Sequence, residues 1–65
     1  MEQAKTIALN HAGQNAASVW FEKAELDYDD GILVYEIEFK SGGMEYGYEV
    51  DAASGTIRDY DWDYD

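Results

Sequence analysis

The side chains of this chain that could do chemistry are mainly carboxylates, because its 65 residues include fifteen Asp and Glu against four Lys and Arg. General acid–base catalysis needs two titratable groups held in different environments within one pocket. Glu36, Glu38, Glu45 and Glu49 instead fall on one predicted face of a sheet, where ordinary ionised carboxylates are expected. A chain of this length also has little room for a deep cleft. We therefore predict no catalytic residues and no enzyme activity.

Two patterns suggest a metal, and both are weak. Residues 27–31 (DYDDG) look like the start of a calcium loop, with Glu38 further on, but the glycine is fifth rather than sixth and no flanking helices are expected. A hairpin turn explains the same residues, with weak adventitious calcium binding as the alternative. His11 is the sole histidine and there is no cysteine, so we interpret it as a packed or rim side chain. We predict no cofactor and no metal site.

The charge of the chain bears on its partners. A net charge of −11 repels nucleic acid phosphates and anionic lipid headgroups, so we expect neither class of partner. No apolar run approaches the ~20 residues that span a bilayer, and residues 1–15 do not resemble a signal segment. We expect any targeting segment to lie outside this chain. Ten aromatic residues make a packed core credible at this length.

The elements that must position these side chains follow from periodicity and turn residues. Apolar residues at helical spacing, ended by Gly13, predict a helix over residues 2–12. Alternating patterns predict strands over about 19–28, 33–41, 44–51 and 56–62. Two-residue turns at 30–31 and 42–43 and a four-residue loop at 52–55 connect the strands. The prediction is a single α+β domain over residues 1–65, with one N-terminal helix packed on one face of a four-stranded antiparallel meander sheet.

These turns also predict which face each side chain occupies. The helix is expected to cover the apolar face, which would carry Leu26, Tyr35, Ile37, Tyr48, Val50 and Ile57. Pairing Glu49 with Arg58 puts Tyr60, Trp62 and Tyr64 on the face away from the helix, with Tyr60 across from Gly47. On that register the acidic side chains between the aromatics point to the helix side, or the strand end that carries them frays. These residues are Asp59, Asp61, Asp63 and Asp65. Asp51 is expected to accept hydrogen bonds from turn amides.

The open face of the sheet is the predicted binding surface, formed by Phe21, Tyr60, Trp62 and Tyr64, with Val19 beside Phe21. Exposed Trp and Tyr side chains are favoured at protein interfaces. The edge strand at residues 56–64 could also accept a peptide by strand addition. The alternatives are that these aromatics cover the sheet edge or pair the terminal strands of a homodimer.

Several segments share the pattern of one known family: residues 4–13 (AKTIALNHAG), 24–27 (AELD), 35–39 (YEIEF) and 48–57 (YEVDAASGTI). On these segments the chain resembles a PepSY domain (peptidase propeptide and YpeB-type domain) over nearly its whole length. It departs from the pattern at Gln14-Asn15, where an apolar residue is expected, and in its Tyr/Trp/Asp ending. The family pattern contains no catalytic residues, so none is carried over.

The resemblance implies a bacterial extracytoplasmic module, secreted or in the cell envelope, of the kind found in propeptides of thermolysin-like peptidases. It implies a non-catalytic regulatory or inhibitory role, with a peptidase as the protein partner. The alternative is a structural or spacer module that self-associates as a homodimer or packs on neighbouring domains.

Overall fold

Helix α1 spans Glu2–Ala12 and ends where Gly13 takes a left-handed conformation, with φ of 71°. Glycine adopts this conformation without the steric penalty that a Cβ brings, and its backbone N–H closes the last turn on Asn10 O and Leu9 O. A 3₁₀ turn at Ala16–Ser18 follows, with the Asn15 side chain accepting a hydrogen bond from the Ala17 N–H.

The computed structural model describes residues 1–64, so the prediction made for Asp65 lies outside the described residues. Strands β1 (Trp20–Asp29), β2 (Ile32–Ser41), β3 (Met44–Asp51) and β4 (Ile57–Tyr64) form one antiparallel sheet in the order β1-β2-β3-β4. Helix α1 contacts the sheet through β2 and β3. The predicted α+β architecture, one helix on a four-stranded meander, is confirmed.

The central register follows from the first two turns. Asp30 and Gly31 both have positive φ, 52° and 80°, as a two-residue hairpin turn of this type requires. The predicted pairs Leu26 with Tyr35 and Ile37 with Tyr48 are both present, the first across β1 and β2 and the second across β2 and β3. The turn residues therefore set the register of three strands correctly.

The core lies between α1 and the β2–β3 pair. Phe39, Ile37 and Val50 are fully buried there, and Ala4 and Ala8 let the helix approach the sheet closely. The full set of buried core residues also includes Leu9, Tyr46 and Tyr48. Each fully buried large apolar side chain contributes about 1.5–3 kcal/mol relative to exposure, so these rings and aliphatic groups stabilise the fold.

Leu26 departs from the predicted core. Its pairing with Tyr35 is as predicted, yet its side chain is exposed because α1 contacts β2 and β3 and does not extend over this part of β1. Val34 shows the opposite difference, since it was not among the predicted core residues and yet its side chain is buried. It is fully buried but lies outside the core cluster, in register between Asp27 and Asp51.

The predicted register of β4 is wrong beyond Ile57. Val50 pairs with Ile57 as expected, but Glu49 pairs with Asp59, so Arg58 is an extra residue in a β-bulge. A one-residue shift moves every later side chain to the other face.

The bulge therefore places the aromatic residues of β4 on the helix side. Tyr60 lies opposite Tyr48 rather than Gly47, and Asp61 takes the position across from Gly47. The acids Asp59, Asp61 and Asp63 point to the open face, the reverse of the prediction.

A second bulge changes the face of Phe21. Phe21 pairs with Phe39 and Lys23 pairs with Glu38, so Glu22 is the extra residue. Phe21 and Val19, predicted to lie on the open face, instead pack against the core on the helix side. The apolar side chains before and after the two bulges are thus brought to one face, which explains why simple alternation fails at these two points.

Candidate functional site

The candidate site is an aromatic ledge, which we define as Tyr60, Trp62 and Tyr64 of β4. β4 is an edge strand of the sheet, and the three side chains are 52%, 45% and 86% exposed. Register places them on the helix side, opposite Tyr48, Tyr46 and Met44 respectively. Three exposed aromatic rings therefore stand in a row beside an edge of the sheet whose outer side has no strand partner within residues 1–64.

The ledge is held in place by the Tyr48 hydroxyl. Trp62 Nε1 donates to Tyr48 Oη at 2.9 Å, and Tyr48 Oη lies 2.9 Å from His11 Nδ1. Because the indole nitrogen can only donate, the Tyr48 oxygen is the acceptor in the bond to Trp62, and its hydroxyl shares a second hydrogen bond with His11 Nδ1. Helix α1 and strand β4 are therefore joined through one buried hydroxyl on β3.

Burial of Tyr48 has an electrostatic consequence. Loss of hydration raises the pKa of the Tyr48 hydroxyl above its usual value, while the hydrogen bond from Trp62 acts in the opposite direction. The hydroxyl therefore stays protonated at neutral pH.

Ring contacts support the inner part of the ledge. The His11 ring lies 4.6 Å from Tyr60, measured between centroids, and Tyr60 stacks on Tyr48 at 5.8 Å. Trp62 meets Tyr46 edge-on at 5.5 Å. Such aromatic pairs contribute about 0.5–1.5 kcal/mol beyond the area they bury. Tyr60 and Trp62 are thus fixed before any partner arrives.

The connection after α1 positions Tyr46 from the other side. Gln14 Nε2 donates to Tyr46 Oη at 3.2 Å, and Ser41 Oγ donates to Gln14 Oε1 at 3.0 Å. Gln14 stands where the sequence pattern led us to expect an apolar residue. Its amide instead links the end of α1 to β2 and β3, which accounts for a polar residue at this position.

Phe21, the fourth residue predicted for the binding surface, lies apart from the ledge. Its ring contacts Phe39 at 5.6 Å, and Lys5 Nζ lies 4.8 Å from the ring centroid. β1 and β4 are at opposite edges of the sheet, so Phe21 and the ledge do not form one surface. The structure brings three of the four predicted residues together and separates the fourth.

The opposite, open face of the sheet carries the carboxylates. Glu36, Glu49 and Asp59 lie side by side across β2, β3 and β4. A hydrogen bond shared with the Asp29 carboxyl, followed by partial burial, raises the pKa of Glu49. Among residues 1–64 no group of three or more His, Asp or Glu side chains has the arrangement of a metal site. These carboxylates form a strongly acidic surface.

A groove of about 510 Å³ separates the N-terminal half of α1 from the loop between β3 and β4. Ile7, Tyr35 and Val50 line it, together with Asp51 at one end. The Asp51 carboxylate is already committed. Its Oδ1 accepts hydrogen bonds from the backbone N–H groups of Ala53 and Ser54 at 2.8 and 2.9 Å, which confirms the predicted turn role. Glu2, the other carboxylate that lines the groove, is exposed at the start of α1.

Sequence reasoning missed the part played by Tyr48, which was expected only as a buried core residue. The available signal was its hydroxyl, since a Tyr at a core position needs a hydrogen-bond partner. His11 was interpreted as a packed or rim side chain, and it does lie at the rim, where it contacts Tyr48, Tyr60 and Trp62.

Comparison with known proteins gives a family match. The family model for PepSY, described as "Peptidase propeptide and YPEB domain", matches residues 1–61. PepSY domains are typically non-catalytic modules associated with peptidase propeptides, and they are often extracytoplasmic. Within the described residues no helix has the length and apolar character needed to cross a membrane.

One curated bacterial relative is similar to this chain. It is the uncharacterized protein Spy1430 of Streptococcus pyogenes serotype M6, which is 43% identical over 56 residues. The aligned part covers 86% of this chain and 43% of that protein, so the chain spans less than half the length of the curated relative it matches. No solved structure matches the chain.

Proposed function

This chain belongs to the PepSY family, and we propose that it is a non-catalytic regulatory module that restrains an extracytoplasmic peptidase by binding it through the aromatic ledge. The observation that carries the proposal is the ledge itself. Tyr60 and Trp62 are half-exposed yet held by His11, Tyr46 and Tyr48, so their rings are ordered before binding. Pre-ordered aromatic side chains lose little conformational entropy in an interface.

The position of the ledge on an edge strand suits this role. A peptidase binds its substrates as extended chains, and β4 is an extended edge strand. Its Tyr60 and Tyr64 N–H groups are capped by Asp59 Oδ1 and Asp63 Oδ1 at 2.9 Å, and a partner strand would replace these local contacts. Tyr64, the most exposed of the three rings, lies at the end of the strand, where a partner can reach it without disturbing the core. The ledge would supply side-chain contacts while the strand edge supplies backbone hydrogen bonds.

We further propose an extracytoplasmic location, secreted or in the cell envelope, because the family is often found there. Fusion of the natural protein that carries this sequence to a reporter enzyme that is active only outside the cytoplasm tests this location. Reporter activity is expected, and activity only from a cytoplasmic reporter would contradict it.

The peptidase proposal is tested by inhibition of thermolysin, with the hydrolysis of a fluorogenic peptide as the readout and mass spectrometry to verify that this chain stays intact. We expect inhibition that Tyr64→Ala weakens by about fivefold or more, since removing an interface anchor costs at least 1 kcal/mol. Trp20→Ala is the matched control because Trp20 is strongly exposed but lies at the opposite edge of the sheet. Absence of inhibition at tens of micromolar, or equal losses in both variants, would refute the proposal for this enzyme.

The second candidate function is a structural or spacer module that packs on neighbouring domains or on itself. The observation in its favour is exposed apolar surface on β1 and β2, at Leu26, Tyr28 and Leu33. The net charge of −11 opposes self-association, so sedimentation at low salt is the deciding measurement. A stable dimer formed through Leu26, Tyr28 and Leu33 would favour the structural function over the regulatory one.

A further inference from the structure

A second surface, distinct from the ledge, lies on the outer half of the β1–β2 hairpin. Leu26, Tyr28 and Leu33 are 51%, 71% and 36% exposed, and register places all three on the helix side, since Tyr28 lies opposite Leu33 and Leu26 opposite Tyr35. The last pair between β2 and β3 is Val34 with Asp51, so the hairpin extends beyond the end of β3. The helix does not cover this extension, which leaves apolar side chains in water.

The opposite face of the same strand is acidic. Glu25, Asp27 and Asp29 alternate with Leu26 and Tyr28 along β1, and residues 24–39 contain no Lys or Arg. Glu25 lies 3.9 Å from Lys23 Nζ, but the ion pairs of the described residues do not include Asp27 or Asp29. Two carboxylates of this edge are therefore without a basic counterpart in the part of the chain that the structure describes.

The backbone of this segment is also accessible. β1 is an edge strand, and every residue from 25 to 29 is exposed. The bulge at Glu22 interrupts pairing at the start of β1, whereas the register from Lys23 to Asp29 is regular. Edge strands present unpaired N–H and C=O groups to an incoming strand. Here the Tyr28 N–H is capped by Asp27 Oδ1 at 2.8 Å, a local contact that an incoming strand would replace.

We propose that the outer half of β1, residues 24–29, is a docking edge for a strand of another protein whose side chains alternate between apolar and basic residues. In an added strand, alternate side chains point to opposite faces. One set would cover Leu26 and Tyr28, and the other would meet Glu25, Asp27 and Asp29 with Lys or Arg. Opposite charges side by side on neighbouring strands are stabilising, and buried apolar pairs add to the affinity.

Charge complementarity decides against a second copy of this chain as the occupant. The edge at β1 carries Glu25, Asp27 and Asp29, and the edge at β4 carries Asp59 and Asp61, so any pairing of two copies would set carboxylates beside carboxylates. Like charges directly opposite each other destabilise a strand pair. The acids thus protect the edge from self-association and at the same time select a basic strand.

The test is a fluorescence anisotropy titration with a labelled peptide of alternating Lys and Val. Three comparisons define the site: an alternating Glu and Val peptide, a shuffled peptide of the same Lys and Val content, and two protein variants with equal changes in charge. D27N/D29N removes carboxylates from the proposed edge, and D61N/D63N removes the same number from the other edge strand. Both variants retain the shape of the side chains.

We expect the alternating Lys and Val peptide to bind. D27N/D29N should weaken the affinity for this peptide several-fold more than D61N/D63N does. L26S/Y28S should weaken the same affinity about tenfold. The acidic and shuffled peptides should bind much more weakly. Amide chemical-shift changes should centre on residues 24–29. Equal effects of the two charge variants, equal binding of the shuffled peptide, absence of binding, or shifts centred on residues 58–64 would overturn the proposal. Because this test uses neither the ledge nor a peptidase, it can fail while the regulatory function stands.

Discussion

Removing the Tyr48 hydroxyl is the sharpest perturbation of the network that holds the ledge. Tyr48→Phe keeps the ring in its stack with Phe39 and Tyr60 but takes away both 2.9 Å contacts, to His11 Nδ1 and to Trp62 Nε1. A net hydrogen bond contributes about 0.5–1.5 kcal/mol. His11 and Trp62 are partly exposed, so water can replace a share of what is lost. We expect a loss of about 1–2 kcal/mol in the free energy of unfolding.

Urea unfolding followed by circular dichroism measures this loss, and thermal unfolding should show a Tm lower by roughly 5–15 °C for a domain of this size. Tyr60→Phe is the matched control because the Tyr60 hydroxyl makes no hydrogen bond to any described side chain or backbone group, and its stability should be close to that of the parent. A cycle with Trp62→Phe should give a coupling of about 0.5–1 kcal/mol between Tyr48 and Trp62. The stabilising role of the Tyr48 hydroxyl would be refuted if Tyr48→Phe were as stable as the unmodified chain. It would also be refuted if Tyr60→Phe lost as much stability as Tyr48→Phe.

Two further predictions concern the backbone and the acidic face. Gly13→Ala should lower the free energy of unfolding by about 1 kcal/mol, because Gly13 has a left-handed φ of 71°. Gly47→Ala should leave stability unchanged, since Gly47 is not left-handed and a Cβ there would meet only Asp61 O at 3.9 Å. Thermal unfolding of both variants checks this difference. Glu49→Gln should raise stability at pH 7, because its folded-state pKa is raised by Asp29, so ionisation disfavours the folded state. The gain in stability should shrink as the pH falls below the folded-state pKa of Glu49, and it should vanish below the ordinary pKa range of Glu, where Glu49 is neutral in both states. Urea titrations at several pH values measure this. A gain that persists in acid would contradict the prediction.

The parts of the fold that sequence reasoning predicted are those whose determinants are local. The dipeptides at residues 30–31 and 42–43 fix short turns, and from a short turn the register follows by counting, which is why Leu26 and Tyr35 were paired correctly. The helix of residues 2–12 depended on apolar spacing and on Gly13, both visible in the sequence.

The bulges at Glu22 and Arg58 could not be predicted in this way, because nothing in the local pattern marks an extra residue. A bulge is decided by what the strand gains afterwards. At Arg58 the gain is the packing of Tyr60 and Trp62 against Tyr48, a contact between distant parts of the chain. The Arg58 guanidinium also approaches Asp51, with Nη1 3.8 Å from Oδ2. Sequence reasoning therefore named the β4 residues of the candidate site but placed them on the wrong face of the sheet.

The most direct test of the central claim, that the ledge is the surface that binds a peptidase, uses the two tryptophans as reporters. In an NMR titration of the ¹⁵N-labelled chain with zinc-depleted thermolysin, which cannot cleave it, each indole N–H gives its own signal. The Trp62 indole N–H is bonded to Tyr48 on the ledge, while Trp20 lies at the opposite edge of the sheet. We predict that the Trp62 signal shifts or broadens in proportion to binding while the Trp20 signal stays unchanged. A response at Trp20 with Trp62 unchanged, or no response at either, would contradict the claim.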